Sequence, residues 1–270
     1  MEIVFTKCSP TQNVTVLVES SIPRPNQPAA AARLLAYDSV GGEQVGFLEP
    51  PTLPGARLRL QMMGGEFCGN ASMSAGAYLA QREHLPDGSS TDYPLEVSGA
   101  EGLTVCHIER VGEAFRGTVR MPLPRRIDAV PLETAAGTLT LPRIEMPGIT
   151  HIVAPMDALT REEIAGQIRL WNRSIRADAL GLLRYDQTEG RIEPLVYVPA
   201  TDSAVWERGC GSGTAALGCW LAQASGQSIR AAIRQPGGEI EVHAEFKAGH
   251  VVDLSITGTV RITAKGVAYI

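Results

Sequence analysis

Fifteen residues of this chain recur, in altered form, 142 positions further on. The stretch Phe67-Cys68-Gly69-Asn70-Ala71-Ser72-Met73-Ser74-Ala75-Gly76-Ala77-Tyr78-Leu79-Ala80-Gln81 lies over Gly209-Cys210-Gly211-Ser212-Gly213-Thr214-Ala215-Ala216-Leu217-Gly218-Cys219-Trp220-Leu221-Ala222-Gln223. A cysteine, two glycines, a leucine, an alanine and a glutamine coincide, and Tyr78 meets Trp220. Two small-residue helices resemble one another easily, so the helical part alone carries little. The shared Cys-Gly-polar opening does not arise so easily, and it points to a duplicated supersecondary unit. The chain should therefore build two pseudo-symmetric lobes, one around each copy.

The rest of the pattern fits that frame. Short alternating segments such as Val14–Glu19, Leu103–Glu109, Glu193–Val198 and Val251–Thr257 read as strands, separated by Gly and Pro punctuation. Helical stretches are fewer, at about Gln27–Tyr37, Gly69–Gln81, Arg161–Arg173 and Gly211–Gln223. The segment Met121-Pro122-Leu123-Pro124-Arg125-Arg126 reads as a crossover between halves. The expected fold class is α+β, with two pseudo-symmetric lobes, each a curved, mostly antiparallel sheet around a central helix. The N-terminal lobe is expected over residues 1–122, the C-terminal lobe over 123–259, and a final strand at 260–270 should return to the first lobe.

Composition excludes some function classes. A formal net charge of −5, with basic residues adjacent at most in pairs, leaves no footprint for nucleic acid. No apolar run reaches the length of a membrane span, and the N-terminal segment alternates like a strand rather than reading as a secretory leader. The five cysteines, Cys8, Cys68, Cys106, Cys210 and Cys219, form no C-x-x-C pair, so free thiols and a cytoplasmic location are expected. Cys8, Cys106 and Cys219 read as small buried hydrophobes. The five histidines show no ligand spacing near the cysteines, so no metal is expected.

Cys68 and Cys210 are different because each stands just before a helix start. Unpaired N–H groups and the helix dipole there favour a thiolate and can hold a carboxylate. Racemisation at an amino-acid α-carbon needs a base on one face and an acid on the other, and two thiols can fill both roles alternately. Helix N-termini would also stabilise the charge that develops on the carboxylate as the α-proton leaves.

At these motifs the chain resembles the diaminopimelate epimerase superfamily, nearly end to end. Asn13 after the first strand, Glu43-Gln44, Phe67-Cys68-Gly69-Asn70, Glu207-Arg208 followed by Cys210-Gly211-Ser212-Gly213, and Gln235-Pro236-Gly237-Gly238 carry the likeness. A closer likeness, through Gly42–Phe47, Gly65–Ser74, Val205-Trp206-Glu207 and Gly266–Ile270, is to the histidine racemases of staphylopine-type metallophore biosynthesis. The chain departs from diaminopimelate epimerase where Gly209 alone separates Arg208 from Cys210, and where Ile149-Thr150-His151 replaces an Asn-Pro-His.

The resemblance implies a cofactor-independent racemase with Cys68 and Cys210 as the catalytic pair. It implies that Gly69, Asn70, Gly211 and Ser212 offer backbone N–H groups to the substrate carboxylate, with Asn13 and Gln44 also at the substrate. Glu43 and Glu207 become candidates for the α-ammonium or, for histidine, the imidazole. His151 reads as a core histidine; Phe67 and Trp206 read equally well as pocket walls or core. The expected partner is a small amino acid, histidine first, with a homodimer as an open option. Racemisation of another amino acid, diaminopimelate included, and a non-catalytic amino-acid-binding module remain the alternatives.

Overall fold

The computed structural model describes residues 1–270, which divide into two compact units: Met1–Arg120 with Thr257–Ile270, and Met121–Ile256. The first contains β1 (Glu2–Pro10), β2 (Thr15–Val18), α1 (Gln27–Leu35), β3 (Gln44–Glu49), β4 (Arg59–Met62), α2 (Gly69–Arg82), β5 (Ser90–Val97), β6 (Leu103–Val111) and β7 (Ala114–Arg120). The second contains β8 (Arg126–Thr134), β9 (Gly137–Met146), β10 (Ile149–Pro155), α3 (Arg161–Ile175), β11 (Leu180–Asp186), β12 (Arg191–Val198), β13 (Ser203–Trp206), α4 (Gly211–Ser225), β14 (Ile229–Gln235) and β15 (Gly238–Lys247). The last strand, β16 (His250–Tyr269), begins in the second unit and ends in the first. No helix is long and apolar enough to cross a membrane.

The two units share one strand pattern. In the first, β16 pairs antiparallel with β1 and β1 with β2; β2 runs parallel to β3, β3 antiparallel to β4, and β4 parallel to β5, which continues into the β5–β6–β7 meander. In the second, β8, β9 and β10 are antiparallel, β10 runs parallel to β11, β11 antiparallel to β12, and β12 parallel to β14, which pairs antiparallel with β15. Each parallel step requires a crossover, and each crossover carries a helix: α1 and α2 in the first unit, α3 and α4 in the second. The fold is therefore α+β and largely antiparallel, with α2 and α4 in equivalent places.

Every residue of α2 from Gly69 to Ala80 is buried, although the helix is rich in Ser, Gly and Ala. Close packing explains this. A Cβ at Gly76 would come 2.8 Å from Ile108, and one at Gly117 would come 2.9 Å from Met73, so the Ile108 side chain of the sheet seats against bare helix backbone and the Met73 side chain of the helix against bare strand backbone. The buried hydroxyls are satisfied locally: Ser72 Oγ donates to the Cys68 carbonyl at 2.8 Å and Ser74 Oγ to that of Asn70 at 2.9 Å. In α4, Thr214 Oγ1 donates to the Cys210 carbonyl at 2.8 Å.

The outer helix α3 is built differently. A reciprocal capping box joins Thr160 and Glu163. Its buried residues Ile164, Ile168 and Trp171 fall on one face, against a core that includes Leu132, Leu180 and Leu182. Arg176 ends it in the left-handed conformation at φ 60°.

Candidate active site

Both motif cysteines are N-caps. Cys68 has an extended backbone ahead of α2, and its sulfur accepts from Ala71 N–H at 3.4 Å. Cys210 stands likewise ahead of α4, its sulfur accepting from Gly213 N–H at 3.3 Å. A capping acceptor satisfies a donor that the helix cannot, and here it also delivers partial positive charge to sulfur.

In the first unit the expected residues form one connected chain. Thr11 (φ 45°) and Gln12 (φ 62°) turn the backbone between β1 and β2 through left-handed conformations, and Asn13 follows them into the interior at 4% exposure. Asn13 Nδ2 donates to Glu43 Oε2 at 2.6 Å. A carboxylate can only accept, so this bond fixes the amide with Oδ1 on the other side. Oδ1 accepts from Gln44 Nε2 at 2.6 Å and from Asn70 Nδ2 at 3.0 Å. Gln44 Nε2 also donates to Thr15 Oγ1 at 2.9 Å, which leaves Gln44 Oε1 facing Cys68, whose thiol donates to it at 3.1 Å. The structure thus brings Asn13, Glu43, Gln44, Cys68, Gly69 and Asn70 together. It places Asn13 and Gln44 in the scaffold of Cys68, with Thr15 as a member that sequence reading missed.

The second unit assembles Glu207, Cys210, Gly211 and Ser212. Cys210 is 2% exposed, and its backbone N–H donates to Gln235 Oε1 at 2.6 Å. Gln235 Nε2 in turn donates to Thr214 Oγ1 at 2.8 Å, locking the amide. A Cβ at Gly213 would lie 2.8 Å from Leu183 and 3.1 Å from the Cys210 sulfur, so only glycine fits there without pressing on the thiol. Burial first, then the charge of Glu207 and its hydrogen bond to the thiol, hold the Cys210 pKa well above the usual thiol value; Ser212 and the Gly213 N–H pull it down. Gln235 was legible only as part of a Pro-Gly-Gly turn. Its role shows once β14 brings it beneath the helix start.

His151 is fully buried on β10, and burial pushes its pKa down to about 3, so the ring is neutral. Its Nε2 lies 3.0 Å from Ser212 Oγ, which places it in the surroundings of Cys210 rather than in the general core. Trp206 packs against the α3 core with the Arg161 guanidinium 4.1 Å over its ring. Cys8, Cys106 and Cys219 are fully buried, and burial pushes the Cys8 and Cys219 thiols up to about 12 and Cys106 higher still. No three His, Cys, Asp or Glu side chains are grouped to hold a metal ion.

Comparison with known proteins sets this geometry in a family. The sequence model described as "Histidine racemase CntK N-terminal domain" matches residues 2–269. A histidine racemase of Staphylococcus aureus is 32% identical over 99% of this chain and 98% of its own length. One from Fusobacterium nucleatum subsp. nucleatum is 28% identical over 98% of this chain and 97% of its own. Among solved structures, a probable proline racemase from Agrobacterium radiobacter superposes with a TM-score of 0.73 at 17% identity, covering 99% of this chain and 92% of the other, a likeness of fold. The chain is an amino-acid racemase and belongs to the histidine racemase CntK family.

Proposed function

We propose that this enzyme interconverts L- and D-histidine by proton transfer between two thiols, Cys68 and Cys210, without a cofactor. One sulfur, as thiolate, removes the α-proton, and the other, as thiol, returns a proton to the opposite face; the two exchange roles with each turnover. The observation that carries this reading is that Cys68 and Cys210 are the N-caps of the equivalent helices α2 and α4, each with a helix N–H on its sulfur. Histidine as substrate is supported by the names of the relatives in Staphylococcus aureus and Fusobacterium nucleatum.

The surroundings suit proton exchange. Gln44 Oε1 accepts from Cys68 and the Glu207 carboxylate accepts from Cys210, so each thiol has an acceptor already in place. Removing a proton from Cys210 toward Glu207 leaves a thiolate facing the Gly213 N–H and the Ser212 hydroxyl, two donors that favour it. In this reading the helix-start N–H groups of Gly69, Asn70, Gly211 and Ser212 hold the substrate carboxylate, whose negative charge grows as the α-proton leaves. Glu43 serves the α-ammonium or the imidazole.

The test is α-proton exchange of L-histidine in deuterated water with reduced enzyme and no additive, followed by chiral separation. Deuterated D-histidine is the expected product. Exchange with another amino acid and none with histidine would discard the substrate; ligand binding without any exchange would discard the reaction.

A further inference from the structure

The His151 ring has a single polar neighbour. Its Nε2 meets Ser212 Oγ at 3.0 Å, while Nδ1 is buried with no hydrogen-bond partner. Gly181 stands opposite in the β10–β11 register, and a Cβ there would collide with Nδ1 and Cε1, so the ring lies flush on bare backbone. A neutral imidazole carries its proton on one nitrogen or the other. On Nδ1 that proton would be a buried donor with nothing to meet, an arrangement rarer in proteins than an under-used acceptor. On Nε2 it is satisfied by Ser212, and Nδ1 keeps only a lone pair. The cation is disfavoured too, because it would need an acceptor at both nitrogens.

The tautomer determines what Ser212 does. With Nε2–H donating to Oγ, the hydroxyl must direct its own proton elsewhere. Its other partner is the Cys210 sulfur at 3.6 Å. With the opposite tautomer the hydroxyl would spend its proton on the ring and turn lone pairs toward sulfur, disfavouring a thiolate.

We propose that His151 is a positioning residue which, as the Nε2–H tautomer, makes the Ser212 hydroxyl a hydrogen-bond donor to the Cys210 sulfur. This rests on the two-thiol reading above and deepens it, since a thiolate at Cys210 then has two donors, Gly213 N–H and Ser212 O–H. His151 never touches the substrate and never gains or loses a proton in the cycle.

The direct test is long-range ¹H–¹⁵N correlation on protein labelled with [¹⁵N]histidine, the His151 signals being assigned by their absence in His151→Gln. A protonated Nε2 with a bare Nδ1 is expected; a protonated Nδ1 would overturn the proposal. Kinetics give a second test. Ser212→Ala and His151→Leu should each lower kcat about tenfold, the lower end of what a hydrogen bond to a charged group contributes. The double variant should be no slower than the slower single one, because the two residues act as one chain. His151→Gln, whose amide can still donate to Ser212, should recover most of the loss. Independent, multiplying losses, or no recovery with glutamine, would refute it. The tautomer is read on the unmodified chain, and should His151→Gln fail to fold, replacing His84, His107, His243 and His250 one at a time assigns their signals and leaves those of His151 by elimination. An active Cys210→Ser enzyme would instead remove the two-thiol reading and leave the tautomer unaffected.

Discussion

Gln235→Leu isolates the device that seats the second thiol. The change removes the acceptor of the Cys210 N–H and the donor to Thr214 Oγ1, bonds of 2.6 and 2.8 Å at a residue only 7% exposed. Leucine fills nearly the same volume, so little cavity is created. Thr214 keeps its bond to the Cys210 carbonyl and loses only an incoming donor. The Cys210 N–H, by contrast, is left buried and unpaired, which costs about 1–3 kcal/mol. The expected sum is about 2 kcal/mol, a drop in Tm of roughly 4–8 °C for a chain near this size. That is well below the roughly 5–15 kcal/mol of a typical domain, so the variant should still fold. The extended conformation that aims the sulfur is then held less firmly, and a displacement approaching 1 Å at a reacting atom costs up to about a hundredfold. The assay pairs thermal denaturation with steady-state racemisation, and kcat should fall by roughly ten- to a hundredfold with a smaller change in KM. A variant with wild-type Tm and wild-type kcat would show that Gln235 does not hold Cys210, and the reasoning would fail.

Two glycine substitutions should act in opposite senses. At Gly218 a Cβ would come 2.5 Å from Val242 Cγ2 and 3.0 Å from its Cγ1; overpacking there should outweigh the helix-propensity gain and destabilise by about 1–2 kcal/mol. Gly166→Ala, exposed on α3 with nothing within 4 Å of the new methyl, should stabilise by about 0.5–1 kcal/mol; urea melts that rank the two the other way would refute the packing argument. His151 makes stability depend on acid: its folded pKa is depressed to about 3 from the 6.5 of the free side chain. Below pH 6.5 the unfolded chain binds a proton the folded one does not, so stability is lost as pH falls from 6.5 toward 3. The slope from this group approaches about 1.4 kcal/mol per pH unit, and His151→Gln should lack that component when melts at pH 6.5 and pH 5 are compared; identical slopes would contradict it.

Three of the four helices were legible because their ends carry chemical marks. Thr160 with Glu163 opens α3, Cys68 and Cys210 open α2 and α4, and Gly226 closes α4 in the left-handed conformation at φ 68°. Strands were less evenly readable. β8 escaped because Pro131 and a largely exposed course mask its alternation, and β13 because it is short and lies off the main strand order. The strand read at Val251–Thr257 and the final strand expected at 260–270 are one strand, β16, in which Gly258 looks like an interruption in sequence. Of the site, the thiols and helix starts could be found because the repeat aligns them. Gln235, Thr15 and the place of His151 could not, since each meets its partner only through strand register or a crossover, at separations from 25 to 61 residues. Asn13 and Gln44 are legible as residues, whereas the hydrogen bonds of their amides with Glu43, Asn70 and Cys68 are not, since each partner lies 24 to 57 residues away.

The measurement closest to the central claim is racemisation by Cys68→Ser and Cys210→Ser, each assayed from L- and from D-histidine under reducing conditions, with folding checked by circular dichroism. A hydroxyl has neither the acidity nor the nucleophilic anion of a thiol at neutral pH, so both variants should be folded and should produce no opposite enantiomer from either substrate. Racemisation near the wild-type rate by either folded variant would show that the proton does not pass between these two sulfurs.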